Sequence, residues 1–186
     1  MRLYCALACA LILLSASPVV ADLIQWSAAE GGNGHWYGLT APGTWPEAEA
    51  EAVLAAGHLV TVNDGNEDQW LYDTFHPLSG FIYLGWLGFY QDTGDPAYSE
   101  PSGGWKWISG EPITYTNWGG GEPNDQNGGE NWAVLTQGFP PHWNDWGPNS
   151  IDYPPGGIPG IIEVVPEPTT LLMLVFCALL PPRRRR

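Results

Sequence analysis

Apolar residues change their spacing partway along the chain, and the change marks two kinds of structure. From Thr44 the pattern is helical: Thr44 suits an N-cap, Pro46 and Glu47 suit a first turn, and Ala48, Ala52, Leu54, Ala55 and Ala56 follow before Gly57. This predicts a first helix over 45–56. His58-Leu59-Val60-Thr61-Val62 is rich in β-branched residues and reads as a short strand. Asp64 or Asn66 then caps a second helix reaching about Phe75, with Trp70, Leu71 and Phe75 at three- and four-residue spacing. After Gly80 the helical signals end. Phe81–Tyr90 reads as a buried strand, 91–104 as a loop, Trp105–Ile108 as an alternating strand and 109–131 as a long glycine-rich loop region. Trp132–Thr136, His142–Trp143 and Gly160–Val164 complete the strands, and one or two more fall within 22–43. Helices early and strands late give an α+β fold with a small antiparallel sheet. A loop as long as 109–131 inside a compact domain is usually functional.

The two ends do not fit that domain. Arg2, the apolar run Leu3–Leu14 and Val19-Val20-Ala21 have the three parts of a secretory signal peptide, so 1–21 is expected to be removed. At the other end, Val165-Pro166-Glu167-Pro168-Thr169-Thr170 precedes the apolar run Leu171–Leu180, then two prolines and Arg183–Arg186. Ten apolar residues fall short of the roughly 20 that a stable span needs, and the arginines would stay cytoplasmic. This three-part tail resembles the bacterial PEP-CTERM sorting signal. The resemblance implies that 165–186 contacts the membrane only transiently and is removed by an exosortase-type membrane protease. The product would be secreted, at the cell surface or in the extracellular matrix of a bacterium, with 22–164 as its one domain.

Without its ends the chain is strongly acidic, with nineteen Asp and Glu against a single base, Lys106. Such a surface repels nucleic acid and anionic lipid and attracts divalent cations. Cys5, Cys9 and Cys177 all fall in the ends, so the domain is expected to lack disulfides. Its eleven tryptophans, all between Trp26 and Trp146, supply the bulk for packing instead.

The chemistry concentrates in 122–145. Glu122-Pro123-Asn124, Glu130 and Asn144-Asp145 offer three carboxylates and two amides. Ca²⁺ takes six to eight oxygen ligands at roughly 2.3–2.6 Å, and these residues could supply most of that shell. Water or two hydroxyls of a sugar would complete it.

The order of landmarks resembles a C-type lectin-like domain over Trp36 to Glu163. Thr44-Trp45 opens the first helix and Gly57-His58-Leu59-Val60-Thr61-Val62 follows it. Tyr83-Leu84-Gly85, Trp105-Lys106-Trp107, Gly110-Glu111-Pro112 and Tyr115-Thr116-Asn117-Trp118 come next. Glu122-Pro123-Asn124, Trp143-Asn144-Asp145 and Ile162-Glu163 complete the series. The resemblance implies that Glu122, Asn124, Glu130, Asn144 and Asp145 hold one Ca²⁺ and, through it, two vicinal sugar hydroxyls. It also implies a cis Glu122–Pro123 peptide, and the Glu-Pro-Asn order implies mannose-, glucose- or fucose-type ligands. Asp125 is a candidate for an auxiliary calcium site, with Asp92, Asp95 and Glu100 as further acids in a rearranged 86–103. Trp132 stands where the family usually places a half-cystine.

No nucleophile elbow, cysteine nucleophile or phosphate loop is present, and His35, His58, His76 and His142 lack zinc spacing. The expected function is therefore binding, with no enzyme activity. Calcium-dependent carbohydrate binding, to an exopolysaccharide or other glycan, stands first. A calcium-stabilised protein-interaction or matrix-structural domain is the alternative. His142, next to Trp143, is first a structural residue but could border the ligand site, and Trp118 or Trp146 could stack on a sugar face.

Overall fold

The computed structural model describes residues 22–79, 83–126, 128–147 and 154–166. Two antiparallel four-stranded sheets and two helices make up the domain. The first sheet joins β1 (Ile24–Gln25), β2 (Trp36–Leu39), β8 (Ile161–Val164) and β3 (His58–Leu59) in that order. The second joins β5 (Trp105–Trp107), β4 (Tyr83–Gln91), β6 (Trp132–Thr136) and β7 (Trp143–Trp146). The expected α+β class holds, and no described residue is a cysteine.

Helix α1 (Trp45–Leu54) starts where Thr44 predicts. The Glu47 carboxylate accepts the Thr44 backbone N–H at 2.9 Å and the Thr44 hydroxyl at 2.8 Å. These bonds hold the Glu47 carboxyl below its usual range. Trp45, Ala48 and Ala52 form the buried face, and the Trp45 indole donates to the Leu87 carbonyl at 2.7 Å. The helix ends two residues before the expected Ala56. Ala56, not Gly57, takes the left-handed conformation at φ 61°, and the Gly57 N–H bonds back to the Ala52 carbonyl. Leu54 lies outside the core at 69 % exposure.

Helix α2 (Gly65–Ser79) is capped by Asp64, whose Oδ1 accepts the N–H groups of Asn66 and Glu67 at 2.8 and 3.0 Å. It runs past the expected end at Phe75 to Ser79. Leu71 and Phe75 are fully buried, while Trp70 is half-buried and stacks on Trp26 at 5.5 Å.

Strand β3 is shorter than the predicted 58–62 because its continuation serves both sheets. The Val60 N–H donates to Ile161 of the first sheet, while its carbonyl accepts from Gly88 of the second. The Thr61 N–H goes to a side chain, Glu163 Oε2. The core around this crossing is aromatic. Phe89 packs on Trp107 at 4.4 Å, and Trp143 meets Trp107, Trp118 and Tyr115 edge-on at 5.7–5.9 Å. Trp146 is buried, so it is not the exposed stacking surface that the sequence allowed. Trp118 is only partly buried and packs on this cluster. The strand predicted at His142–Trp143 runs instead from Trp143 to Trp146, which places Asn144 and Asp145 inside β7.

Candidate metal centre

Two clips attach the long loop after β5 to β7. The Trp143 N–H donates to the Asn117 carbonyl at 2.7 Å, and the Gly119 N–H donates to the Trp143 carbonyl at 2.8 Å. A turn from Gly119 to Glu122 follows, and then a cis Glu122–Pro123 peptide, as the resemblance implied. Register within the second sheet pairs Val134 with Asn144 and Ala133 with Asp145, which fixes both acceptors beside this loop.

The buried Asp145 carboxylate gathers the loop. It accepts the Asn124 N–H at 3.0 Å on each oxygen and the Asp125 N–H at 2.7 Å on Oδ2. Asp125 sits at φ 47°, a left-handed conformation that Asp tolerates, and its Oδ1 accepts the Glu130 N–H at 3.1 Å. Asn124 Oδ1 accepts the Gln126 N–H at 2.7 Å. Glu122 and Asn144 line an open hollow of about 240 Å³ with Gly119, Gly120, Thr136 and His142. Of the five predicted donors, the structure thus brings Glu122 and Asn144 to one hollow. Asp145 and Asn124 are engaged with the loop backbone, and Glu130 is buried beside them. Among the described residues, no three His, Cys, Asp or Glu side chains form a metal-holding group by themselves. Any ion here would need the amide oxygens as well.

The chemistry of the donors fits a cation. Four buried side-chain oxygens among the described residues lack a donor, and two of them, Glu122 Oε2 and Asn144 Oδ1, belong to residues that line this same hollow. A buried acceptor left without a donor costs roughly 1–3 kcal/mol. The Glu122 carboxyl is pushed up to about 7, first by burial and then by the carboxylates of Asp145 and Glu130. Clustered oxygen donors that repel one another match a hard cation such as Ca²⁺.

The other acids named from the sequence serve the loops. Asp92 pairs with Lys106 and accepts the Gly94 N–H. Asp95 accepts the Ala97 N–H, and Glu100 accepts the Tyr98 hydroxyl. His58 bonds to the Leu59 carbonyl at the helix–strand junction.

Two features escaped sequence reasoning. Asp68 on α2, buried, accepts Trp143 Nε1 at 2.9 Å, Asn117 Nδ2 at 2.6 Å and the Tyr115 hydroxyl at 3.3 Å. It ties the second helix to both the loop and β7. Burial raises its carboxyl despite these donors. Its partners lie up to 75 residues away in sequence. The second feature joins β2 and β8 of the first sheet, the segment that follows β3, and α2. The Tyr37 hydroxyl donates to Glu67 Oε1 at 2.6 Å, and Glu163 takes His35 Nδ1 at 2.6 Å and the Thr61 N–H at 2.9 Å. The one trace in the sequence is an acid, Glu163, inside an apolar strand.

Comparison with known proteins places the fold in a family. Residues 41–150 match the family described as the lectin C-type domain. Perlucin-like protein of Mytilus galloprovincialis is 27 % identical over 105 residues, which are 54 % of this chain and 60 % of that protein. Ladderlectin of Oncorhynchus mykiss is 29 % identical over 102 residues, 55 % of this chain and 50 % of its own. The chain therefore spans between half and three-fifths of these relatives. The C-type lectin CEL-I from Cucumaria echinata superposes with a TM-score of 0.58 at 19 % identity, covering 70 % of this chain and 90 % of that one. A calcium-independent type II antifreeze protein gives 0.54 at 21 %, covering 77 % and 95 %. At such identities these two likenesses speak for the fold alone. With more than half of its 186 residues matched by the family's pattern, the chain belongs to the C-type lectin domain family.

Proposed function

We propose that this chain is an exported, calcium-dependent carbohydrate-binding protein that takes mannose-, glucose- or fucose-type ligands, with Glu122, Asn124, Glu130, Asn144 and Asp145 as its metal donors. The observation that carries the reading is the pair of buried acceptors without donors, Glu122 Oε2 and Asn144 Oδ1, on two residues that line one hollow. Ca²⁺ bound there would supply coordination to two vicinal hydroxyls. The protein's own part is hydrogen bonding: the Glu122 and Glu130 carboxylates accept from those hydroxyls, and the Asn124 and Asn144 amides donate to them. Binding, not catalysis, is the role. The reading extends to the ends, with 1–21 as a signal peptide, 22–164 as the domain and 165–186 as a PEP-CTERM sorting signal cut by an exosortase-type protease. Residues 1–21 and 167–186 lie outside the described residues. Intact-mass measurement of the exported protein tests these cuts.

One observation favours a second reading. Asp145 already holds the loop through three backbone hydrogen bonds, so the loop has an internal brace. In that case calcium would stabilise a protein-interaction or matrix-structural domain without sugar binding. Calorimetric titration of Ca²⁺ into the chelator-treated protein, then of mannose into the calcium form, separates the two. Mannose heat only after calcium, lost in Glu122→Ala and Asn144→Ala, supports the lectin reading. Calcium heat with no saccharide heat supports the second, and absence of calcium heat at millimolar concentration overturns both.

A further inference from the structure

His142 is the one side chain of the hollow with a ring, and the structure reserves space for it. A Cβ on Gly119 would stand 2.8 Å from His142 Cδ2, and a Cβ on Gly138 would stand 2.4 Å from His142 Cε1. The imidazole therefore lies between two backbone segments that only glycine allows to come so close. The same Gly119 position is 3.5 Å from Glu122 Cγ, so the imidazole and the Glu122 side chain flank one glycine.

The tautomer of the neutral ring follows from its partner. Nδ1 lies 3.1 Å from the Pro140 carbonyl oxygen, and a carbonyl can only accept. The hydrogen of the neutral ring is therefore on Nδ1, and Nε2 carries a lone pair. Thr136, another polar side chain of the rim, is already committed: its hydroxyl donates to the His142 carbonyl at 3.0 Å. Glu122 and Asn144 present acceptors as well. The oxygens and the one ring nitrogen of this hollow suit a ligand rich in hydroxyl donors.

Resting on the proposed calcium-dependent sugar site, we propose that His142 is a specificity-determining residue. Its Nε2 accepts a third hydroxyl, next to the vicinal pair held at the metal. The ligand class is then a terminal hexose whose vicinal pair and one neighbouring hydroxyl, on C2 or C6 of a mannoside, are all free on their carbons. An interior unit of a chain substituted at one of those carbons is disfavoured, as is a deoxy sugar lacking the third hydroxyl.

The test uses the full chain with saturating Ca²⁺ and calorimetric or competition affinities for methyl α-mannoside and its 2-deoxy and 6-deoxy analogues. In the native protein, one of the two analogues is expected to bind about tenfold more weakly than the parent, since a neutral hydrogen bond is at stake. His142→Phe fills the same space without the acceptor. It is expected to bind the parent about tenfold more weakly, to lose the preference between parent and analogue, and to keep its calcium titration. His142→Gln, which retains an acceptor, restores part of the affinity. Equal binding of the parent and both analogues by the native protein overturns the role of His142, and that measurement needs no variant. Unchanged mannoside affinity in His142→Phe overturns it as well. Failure of the native protein to bind any mannoside with calcium present instead sinks the sugar site itself, and His142's role with it.

Discussion

Two groups of buried carboxylates in this domain are treated in opposite ways. Around Tyr37, the Glu67 and Glu163 carboxylates are closed in by donors. The Tyr37 hydroxyl, Asn33 Nδ2 and the Asn63 N–H bond to Glu67, while His35 and the Thr61 N–H bond to Glu163. At the 122–145 site, Glu122 and Asn144 each keep an acceptor with nothing to receive. Both regions concentrate negative charge, so charge alone does not tell structure from site. The supply of donors does: a network satisfied from within the chain fastens elements, and one left open waits for a partner.

The largest expected effect tests that contrast directly. Glu163→Ala removes a fully buried acid and strands its donors, and should cost about 3 kcal/mol in urea unfolding. Glu122→Ala, measured in chelator, should cost less than about 1 kcal/mol, because it relieves repulsion from Asp145 and Glu130. Equal losses would erase the distinction. Next, Ca²⁺ at a hundred times its Kd should stabilise the native protein by about 2.7 kcal/mol. The same addition should leave the unfolding of Glu122→Ala unmoved.

The closed network should show itself through pH. The Glu67 carboxyl is pushed up to about 7 from an ordinary 4.5, first by burial and also by Glu163. The folded protein then binds that proton more tightly than the unfolded chain does. Its contribution is full below pH 4.5, falls as pH rises through 7 and is flat beyond. His35, raised mainly by its bond to Glu163, acts in the same direction at higher pH. Glu67→Gln should therefore flatten the loss of stability between pH 4.5 and 7 by on the order of 2 kcal/mol, read from unfolding curves across that window. A native profile that instead rises through this window, or an unaltered slope in the variant, would contradict the assignment.

Asp68 lies between the two regions, a satisfied carboxylate that holds the open site in place. Asp68→Asn keeps the shape but weakens bonds to Trp143, Asn117 and Tyr115, at a cost of about 1–2 kcal/mol. Calcium affinity should fall severalfold although Asp68 contacts no proposed donor. Unchanged calcium affinity beside reduced stability would make it a core brace only.

What the sequence revealed divides along the same line. The Thr44–Glu47 start of α1 and the Asp64 cap of α2 depend on neighbours three residues apart, so they could be read directly. The proposed donors were visible because Glu122, Asn124 and Glu130 sit within one loop and Asn144-Asp145 is a contiguous pair. The Glu67–Tyr37 and Glu163–His35 bonds span 30 and 128 residues, and no local pattern announces them. Ala56 was misjudged because a Gly followed it, yet Gly57 stands where a Cβ would meet the Glu163 carbonyl oxygen of β8 at 2.2 Å, and the αL turn falls on Ala56. The early end of β3 has the same origin, since Val60 divides its bonds between two sheets. The engagement of Asp145 by the loop backbone also depends on packing, and changes how its donor role must be tested.

The pairing of β1, β2 and β8 also has a mechanical meaning. β1 and β8 each run antiparallel to β2, with Ile24 and Glu163 both facing Tyr37 across it. The two outer strands are therefore parallel to one another, about two strand spacings apart, near 10 Å. A pull between the two termini draws β1 backward and β8 forward along the same axis. The load slides the strands past each other, straining all their hydrogen bonds together, instead of peeling them apart one at a time. Stretched between its ends, the domain would resist as a lap joint does.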